Sequence, residues 1–203
     1  MPPKLRFTRE TIIQKGFSIV RRKGWKALSA RSLAAELGSS PMPIYSCFNA
    51  MQELETEIIK MIIDCLQTYM TRRVTGDPWH DHGIGYVRFA DEEPMLFLAI
   101  NDASHFEESR QYGQRIWDAC TRSLTDYPPF QGLSDEQIYN VQLKRWMLAH
   151  GFAFHACYAP PGSVGVEKII LHIREGSMAI LEGLKHLGSK RPHGPEYPSI
   201  SNP

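Results

Sequence analysis

The sequence predicts an all-α protein with a small N-terminal head and a larger helical body. Apolar residues recur at helical spacing in one segment after another, and no segment shows the strict alternation of a half-buried strand. Helix start and stop signals, a hydroxyl side chain before the helix and a glycine after it, bound these segments repeatedly. Hydrophobic residues make up 42% of the 203 residues and charged residues 22%, which is ordinary for a globular chain.

Charge is distributed unevenly along the chain. Residues 1–50 hold nine Lys or Arg residues and two acids, a net charge of +7. The remaining residues hold fourteen basic and twenty acidic groups, a net charge of −6. A basic head on an acidic body favours binding of a polyanion by the head. A solvated basic surface without a partner explains the charge equally well.

Three helices are predicted in the head. The first begins after an N-cap at Thr8, and the second runs from an N-cap at Ser29 to Gly38. The third is expected to be capped by Ser40, with Pro41 at the first helical position, where a missing N–H costs nothing. These local signals predict a compact three-helix unit at the N-terminus.

A long fourth helix is predicted to begin at a capping-box pair, Asn49 and Gln52, and to lead into the body. We expect a linker at 75–85, because this segment holds Gly, Pro and acids without periodicity. Beyond it, helical patterns are expected at roughly 83–93, 95–105, 107–126, 134–158 and 164–187.

Three regions follow from these patterns. The head is expected at 1–53 and the helical body at 54–187. The last segment, 188–203, is rich in proline and is predicted to be disordered.

The segment 28–48 has the arrangement of a helix-turn-helix. Its two predicted helices meet at Gly38, as in helix pairs that place the later helix in a DNA major groove. The free N–H groups at a helix start favour phosphate, hydroxyl side chains donate to phosphate, and Met or Pro side chains contact thymine methyl groups. Ile44 and Phe48 are expected to pack inward. The predicted DNA contacts are Ser29, Arg31, Ser39, Ser40, Met42, Pro43, Tyr45 and Ser46, with Lys4 and Arg6 in an N-terminal arm.

Residues 7–54 resemble the N-terminal domain of the TetR family of transcriptional regulators. The resemblance rests on Gly24, the segment LSARSLAAELG, the serine pair that follows it, PMPIY, Phe48 and Leu54. It implies a three-helix DNA-binding head, joined by a long fourth helix to a helical body that binds a ligand and dimerises. It also implies a phosphate contact by Tyr45. Many members carry a phosphate-contacting lysine where this chain has Met51, so the resemblance does not extend to that contact.

The body resembles a branch of the same family in which a tryptophan and a His-Gly pair lie on the penultimate helix, here Trp146, His150 and Gly151. Helical bundles form ligand sites between helices, lined by aromatic and thioether side chains such as those frequent here. For any single aromatic residue, a plain core position is the more frequent role. The predicted pocket residues are Phe106, Trp117, Trp146 and His150, and the scarcity of charge around them favours a mostly apolar small-molecule effector.

The last two predicted helices are expected to form a homodimer interface. The final helix carries an apolar stripe and the penultimate helix is apolar nearly all round, so each has one face for its own body and one for a partner. A monomer with a deep core is the alternative. The predicted interface residues are Trp146, Val166, Ile169, Ile173, Ile180 and Leu184.

No motif predicts a catalytic centre, a metal site or a cofactor. The four cysteines form no CxxC pair, which argues against zinc or a disulfide framework and favours a reducing, cytoplasmic compartment. Neither a signal peptide nor a membrane span is predicted. The segment WHDH, residues 79–82, lacks a second ligand pair, so a solvated linker is favoured there over a metal site.

Together with the family resemblance, these patterns imply a homodimeric regulator that binds a pseudo-palindromic double-stranded DNA operator and is released by a small-molecule effector, as a repressor in the simplest case. Two other classes stay open: an all-α enzyme or carrier with an incidental basic head, and an adaptor whose head holds a protein or an RNA. The enzyme would need a Ser/His/Asp, Cys/His or carboxylate pair, and none in the body has suitable spacing.

Overall fold

The computed structural model describes residues 7–158 and 165–188, and within these ranges it contains nine α-helices and no β-strand. The predicted all-α class is confirmed. The helices are α1 (Arg9–Lys23), α2 (Ala30–Leu37), α3 (Met42–Cys47), α4 (Met51–Met70), α5 (Pro78–Glu92), α6 (Pro94–Ile100), α7 (Phe106–Ser123), α8 (Asp135–Tyr158) and α9 (Val166–Gly188). Of the helices in the described ranges, none combines the length and apolar composition that a membrane span requires.

The caps predicted for the first two helices are confirmed. The hydroxyl of Thr8 accepts a hydrogen bond from the backbone N–H of Thr11 at 3.2 Å. Ser29 and Ser32 form a reciprocal capping box, each hydroxyl accepting from the other residue's backbone N–H at 3.1 and 2.9 Å. Gly38 ends α2 in the left-handed region at φ 59°, where glycine avoids the strain of a Cβ atom.

The start of α3 differs from the prediction by one residue. Pro41, not Ser40, is the N-cap, and its carbonyl accepts the N–H of Ile44 at 3.0 Å. No side chain caps this helix. Pro43 therefore falls at the second helical position, where the N–H has no helical partner in any case. The result is a six-residue helix with a stiff first turn.

The predicted capping pair of α4, Asn49 and Gln52, is wrong. Ala50 is the N-cap, and the carboxylate of Glu53 accepts from the backbone N–H of Asn49 at 3.0 Å. A carboxylate is favoured over an amide here because its negative charge also interacts with the helix N-terminus. α4 then passes from the head into the body, and its buried side includes Leu54 and Ile58.

Most of the segment predicted as a linker, from residue 78 to 85, is instead part of α5, the central helix of the body. The Asp77 side chain caps this helix by accepting the N–H of Trp79 at 2.8 Å, and Pro78 occupies the first helical position. Residues 79–87 are all buried. α5 contacts α4, α6, α7, α8 and α9, so it has no polar face to reveal its helical period.

Glycine lets α4 and α5 approach closely. A Cβ atom on Gly85 would lie 2.2 Å from the carbonyl oxygen of Tyr69, far inside van der Waals contact. Since the obstructing atoms belong to the backbone of α4, they cannot rotate away. Only glycine fits at this crossing.

The head is attached to the body through α1 and α6. The guanidinium of Arg21 forms an ion pair with Glu93, with Nε donating to Oε2 at 2.7 Å. The indole N–H of Trp25 donates to the carbonyl of Ala99 at 2.9 Å. One continuous apolar core runs from the head into the body, and a second cluster is centred on Trp79. A displacement of α6 would therefore move the head.

Candidate functional site

The predicted DNA contacts that the structure describes lie at the start of α2, in the turn between α2 and α3, and on α3. Met42 is 74% exposed and Tyr45 53% exposed, whereas Ile44 and Phe48 are buried, which confirms the predicted division between outer and inner faces. The other exposed members of this set are Ser29, Arg31, Ser40 and Ser46, and the half-buried ones are Ser39 and Pro43. Lys4 and Arg6 lie outside the described residues.

Three of the serine hydroxyls already have hydrogen-bond partners. Ser46 donates to the carbonyl of Met42 at 3.0 Å, Ser39 donates to the carbonyl of Ser40 at 2.8 Å, and Ser29 is engaged in the capping box. These hydroxyls keep a lone pair but offer DNA no free donor.

Tyr45 and Arg31 are differently placed. Within the described residues, neither side chain makes a hydrogen bond or an ion pair, so the phenol O–H and the guanidinium are available as donors. Of the predicted contacts described here, these two are the best suited to hold phosphate. Met51, which stands in place of the family's lysine, packs against the core instead.

Trp146 and His150, two of the predicted pocket residues, lie in an aromatic cluster formed by Tyr86, Phe97, Trp146, His150 and Phe154. The Trp146 and His150 rings are stacked with centroids 5.0 Å apart, and the Phe154 ring meets His150 edge-on at 4.9 Å. Tyr86 Oη and His150 Nδ1 are 2.7 Å apart and share a hydrogen bond. Burial raises the pKa of the Tyr86 phenol and lowers that of His150, so both are neutral at neutral pH.

Sequence reasoning missed three members of this cluster. Tyr86 lies just beyond the segment predicted as a linker, and no local pattern showed that Phe97 of α6 would meet His150. Phe154 follows His150 by four residues on α8, so helical spacing alone is a signal that could have found it. The packing of α5 against α6 and α8 is tertiary structure, which a single sequence does not show.

The other two predicted pocket residues lie elsewhere. Phe106 is 62% exposed at the first position of α7. Trp117 is half-buried and packs edge-on against Tyr139, with ring centroids 5.7 Å apart. Neither has a ring contact with the aromatic cluster in the described ranges, so the structure does not bring the four predicted residues together, and a lining role for these two stays a prediction. Aromatic character alone does not specify the direction of a side chain.

The predicted dimer stripe on the last helix is wrong at two positions. Ile169 and Ile173 are 2% and 0% exposed because they pack into the core of their own chain. Val166 packs on the same core, Ile180 packs on the second cluster, and Trp146 belongs to the aromatic cluster. The side chain of Leu184 lies outside what the structure describes.

The outer faces of α8 and α9 carry different apolar residues. Met147 is 57% exposed, Leu171 50% and Met178 41%. α8 and α9 pack closely, since a Cβ atom on Gly176 would lie 2.6 Å from Leu148 Cδ2. The stripe of strict helical period marks the face toward the chain's own core, and these three exposed residues mark the opposite surface.

The WHDH segment is not solvated, contrary to the prediction. His80, Asp81 and His82 are all buried within α5. The Asp81 carboxylate accepts from the backbone N–H and the hydroxyl of Thr75 at 2.8 and 2.7 Å. His82 Nε2 lies 3.2 Å from the hydroxyl of Ser123, and burial lowers its pKa to about 4. Among the described residues, no three His, Cys, Asp or Glu side chains are grouped to hold a metal ion.

Sequence comparison finds a bacterial regulator. No protein-family model matches the chain. It is 24% identical over 155 residues to an uncharacterized HTH-type transcriptional regulator of Mycobacterium tuberculosis, and the match covers 74% of this chain and 70% of that protein.

Structural comparison gives the same class of protein. A TetR-family regulator from Rhodococcus sp. matches with a TM-score of 0.61 at 14% identity, covering 84% of this chain and 96% of that one. One from Mesorhizobium loti matches with a TM-score of 0.57 at 17% identity, covering 87% and 98%. PfmR from Thermus thermophilus matches with a TM-score of 0.52 at 16% identity, covering 84% and 97%. The chain thus has the fold of TetR-family transcriptional regulators, and the resemblance of residues 7–54 is confirmed at that level.

Proposed function

We propose that the chain is a TetR-type transcriptional regulator, in the simplest case a repressor, that binds a DNA operator as a homodimer and releases it when a small molecule enters the body. The observation that carries the proposal is the helix-turn-helix in a head of net charge +7, with Met42 and Tyr45 exposed on one side of α3 and Ile44 buried on the other. This is the arrangement in which a recognition helix enters a major groove.

DNA contact is assigned to the start of α3 and to the beginning of α2. Tyr45 and Arg31 supply free donors for phosphate, and Met42 supplies an apolar contact for a base edge or a sugar. Two heads of a symmetric dimer would meet successive major grooves about 34–36 Å apart, or a longer spacing on an extended site.

Dimerisation is assigned to the outer faces of α8 and α9. Exposed Met147, Leu171 and Met178 make this an apolar surface, as expected for an interface between identical chains. A two-fold pairing of these helices would fix the spacing of the two heads.

Effector binding is assigned to the aromatic cluster and its surroundings. Phe97 of α6 belongs to the cluster, and two residues further along the same helix the carbonyl of Ala99 accepts the Trp25 indole N–H from the head. A ligand that displaces Phe97 would therefore move α6 and, through Trp25 and the Arg21–Glu93 ion pair, the head. By linkage, DNA must then weaken effector binding by the same factor.

The proposed role involves no catalysis and no cofactor, and it places the protein in the cytoplasm with the DNA. An enzyme or an adaptor for protein or RNA would leave no operator footprint. Footprinting on genomic fragments enriched by the purified protein is the experiment that separates these classes.

Replacing Tyr45 with phenylalanine or Arg31 with alanine should weaken operator binding by about 5- to 20-fold each, because each change removes a charged or hydroxyl contact to phosphate. Arg31→Ala should also lower the slope of log K against log salt by about one. Fluorescence anisotropy between about 50 and 200 mM salt, on the fragment that the wild-type protein selects, measures both effects.

The matched control is Arg110→Ala, which removes an exposed arginine from α7 in the body. The operator affinity of Arg110→Ala, and the slope of its log K against log salt, should equal those of the wild type. If Tyr45→Phe and Arg31→Ala behave like this control, these residues do not contact DNA.

Replacing Leu171 with glutamate should convert the dimer to a monomer at micromolar concentration, because the charge would be buried against its own symmetry mate. Light scattering after size exclusion should give about twice the chain mass of 23.2 kDa for the wild type and a single chain mass for the variant. Val74→Glu is the control, since Val74 is also 50% exposed but lies between α4 and α5. A dimeric Leu171→Glu protein would contradict the assigned interface.

A further inference from the structure

A buried cation lies between α5 and α8, in a part of the body to which no role has yet been assigned. Arg145 is 5% exposed, and its guanidinium carbon sits 4.2 Å from the ring centroid of Trp79. Its Nη1 donates to the carbonyl oxygen of Trp79 at 2.6 Å. This is its one hydrogen bond within the described residues, although a guanidinium carries five N–H donors.

Arg145 also lacks a counter-ion in the described part of the chain, where no carboxylate lies within 4.0 Å of it. The nearby acid, Asp77, is engaged elsewhere. Its Oδ1 accepts the N–H of Trp79 at 2.8 Å, and its Oδ2 accepts the hydroxyl of Tyr127 at 3.0 Å. Burial lowers the pKa of Arg145 to about 10, which still leaves it charged at neutral pH. A buried charge without a partner is costly, and proteins rarely keep one unless something pairs with it.

Two residues near this cation carry unpaired ring nitrogen atoms. Trp79 Nε1 and His82 Nδ1 are buried and have no hydrogen-bond partner in the described ranges. Trp79 and His82 are three residues apart and so share one face of α5. Burial, and then the charge of Arg145, lower the pKa of His82, so its imidazole is neutral at neutral pH and carries one N–H. Nδ1 carries that N–H in the tautomer in which the Ser123 hydroxyl donates to Nε2, rather than to the carbonyl of Cys120 as it does in this structure. His80 Nδ1 is likewise buried and unpaired, next to these residues in sequence.

We propose that Arg145, Trp79 and His82, hereafter the arginine site, bind the carboxylate group of an organic acid with an apolar body. A single guanidinium matches a monoanion in charge, and its planar fork matches a carboxylate in shape. The Trp79 indole N–H and the His82 imidazole complete the set of donors. The apolar body is expected because Trp79 also anchors the second core cluster, which includes Leu124, Phe130, Val141 and Leu181.

The position of the arginine site connects it to the aromatic cluster. α5 and α8 run alongside each other in the same direction, since Trp79 contacts Arg145 and, further along both helices, Tyr86 contacts His150. A carboxylate held by Arg145 would thus lie a short distance along the α5–α8 interface from the ring stack that leads to α6. The role of this acid as the effector rests on the regulatory function proposed above, whereas its binding does not.

The test is a binding measurement on the full chain without DNA. Octanoate and benzoate are the probes, octanamide and benzamide are their neutral counterparts, and sodium chloride and phosphate are the inorganic anions. At about 100 times Kd, a carboxylate that binds the native state should raise Tm by roughly 5–10 °C, whereas the amides should leave it unchanged. Calorimetry should show one site per chain.

Arg145→Met is the decisive variant. The Tm of this variant without ligand should equal or exceed that of the wild type, because methionine fills a similar volume without a buried charge. Its affinity for octanoate and benzoate should be lower on the order of 100-fold. Arg122→Met, which removes an exposed arginine of α7, should keep the full response. Undiminished carboxylate binding by Arg145→Met overturns the assignment.

Trp79→Phe serves if Arg145→Met does not fold. It keeps an aromatic ring under the guanidinium but removes the indole N–H, so carboxylate Kd should rise roughly 5- to 10-fold. The proposal is overturned if the Kd of Trp79→Phe is unchanged or if neither acid raises the Tm of the wild type. It is also overturned if the amides, chloride or phosphate raise that Tm as much as the acids do. If the protein binds DNA selectively but no carboxylate raises its Tm, the arginine site alone is refuted. If a carboxylate raises the Tm but the protein selects no DNA, the regulatory function alone is refuted.

Discussion

Replacing Gly85 with alanine should destabilise the protein by roughly 3 kcal/mol or more, even though alanine is the better helix former by about 1 kcal/mol. The new methyl group would lie 2.2 Å from the carbonyl oxygen of Tyr69 and 2.7 Å from Cα of Met70. Both atoms belong to the backbone of α4, so relief requires the two helices to separate. Separation would loosen the packing of α5, which contacts five other helices of the body.

Gly113→Ala is the matched control for that change. Gly113 also lies within a helix, α7, but its added Cβ would meet no atom within 4 Å. This variant should gain about 0.5–1 kcal/mol from helix propensity alone. Urea unfolding followed by circular dichroism, at one fixed protein concentration, compares both variants with the wild type. If Gly85→Ala and Gly113→Ala shift the midpoint in the same direction, α4 and α5 do not cross as closely as described.

The helices of the head could be predicted from the sequence because the signals that bound them are local. Ser29 and Gly38 each act on backbone groups within a few residues, and the structure forms both caps as expected. The one-residue error at Ser40 has a local cause as well, since proline at position 41 can serve either as N-cap or as first helical residue. The inward direction of Ile44 followed from helical spacing alone.

The sequence was insufficient for α5 because its helical period is hidden. A helix buried on all sides shows no polar face, and its Gly, Pro and Asp residues have the composition of a loop. Each has a structural use instead: Pro78 and Asp77 form the helix start, and Gly85 allows close packing. These uses become visible only when the neighbouring helices are in place.

The same limit applies to the body's surfaces and sites. The apolar stripe with Ile169 and Ile173 was identified, but periodicity does not say whether a stripe faces its own core or a partner. Arg145 directly follows Lys144 on α8, and nothing in the sequence distinguishes the buried arginine from the exposed lysine beside it. Only the packing of α5 against α8 separates the two positions.

Acidification should unfold the protein more readily, with His82 as a main cause. The pKa of its imidazole is about 4 in the folded chain, against an ordinary value of 6.5. Below pH 6.5 the unfolded chain therefore binds a proton that the folded chain does not, and stability falls as the pH falls. The loss from this one group is about 1.4 kcal/mol per pH unit, or about 2 kcal/mol between pH 6.5 and 5.

The physical cause is the surroundings of the imidazole. Burial is the largest effect, and the positive charge of Arg145 on α8 adds to it, while the negative charges of Asp81 and Asp77 oppose it only in part. On α7, the neighbouring group is the uncharged hydroxyl of Ser123, which lies 3.2 Å from Nε2. Burial also lowers the pKa of His80 and His150, so the wild-type slope should exceed that of a single proton.

His82→Gln removes the titration but keeps a polar group that can reach Ser123. The free energy of unfolding in urea should then differ between pH 7.5 and 5 by about 2 kcal/mol less than in the wild type, because one fewer proton is taken up on unfolding. His155→Gln, which changes an exposed histidine of α8, should retain the wild-type difference. Equal pH dependence in the wild type and His82→Gln would mean that His82 is accessible to protons in the folded chain, and the buried environment described for the arginine site would then be wrong.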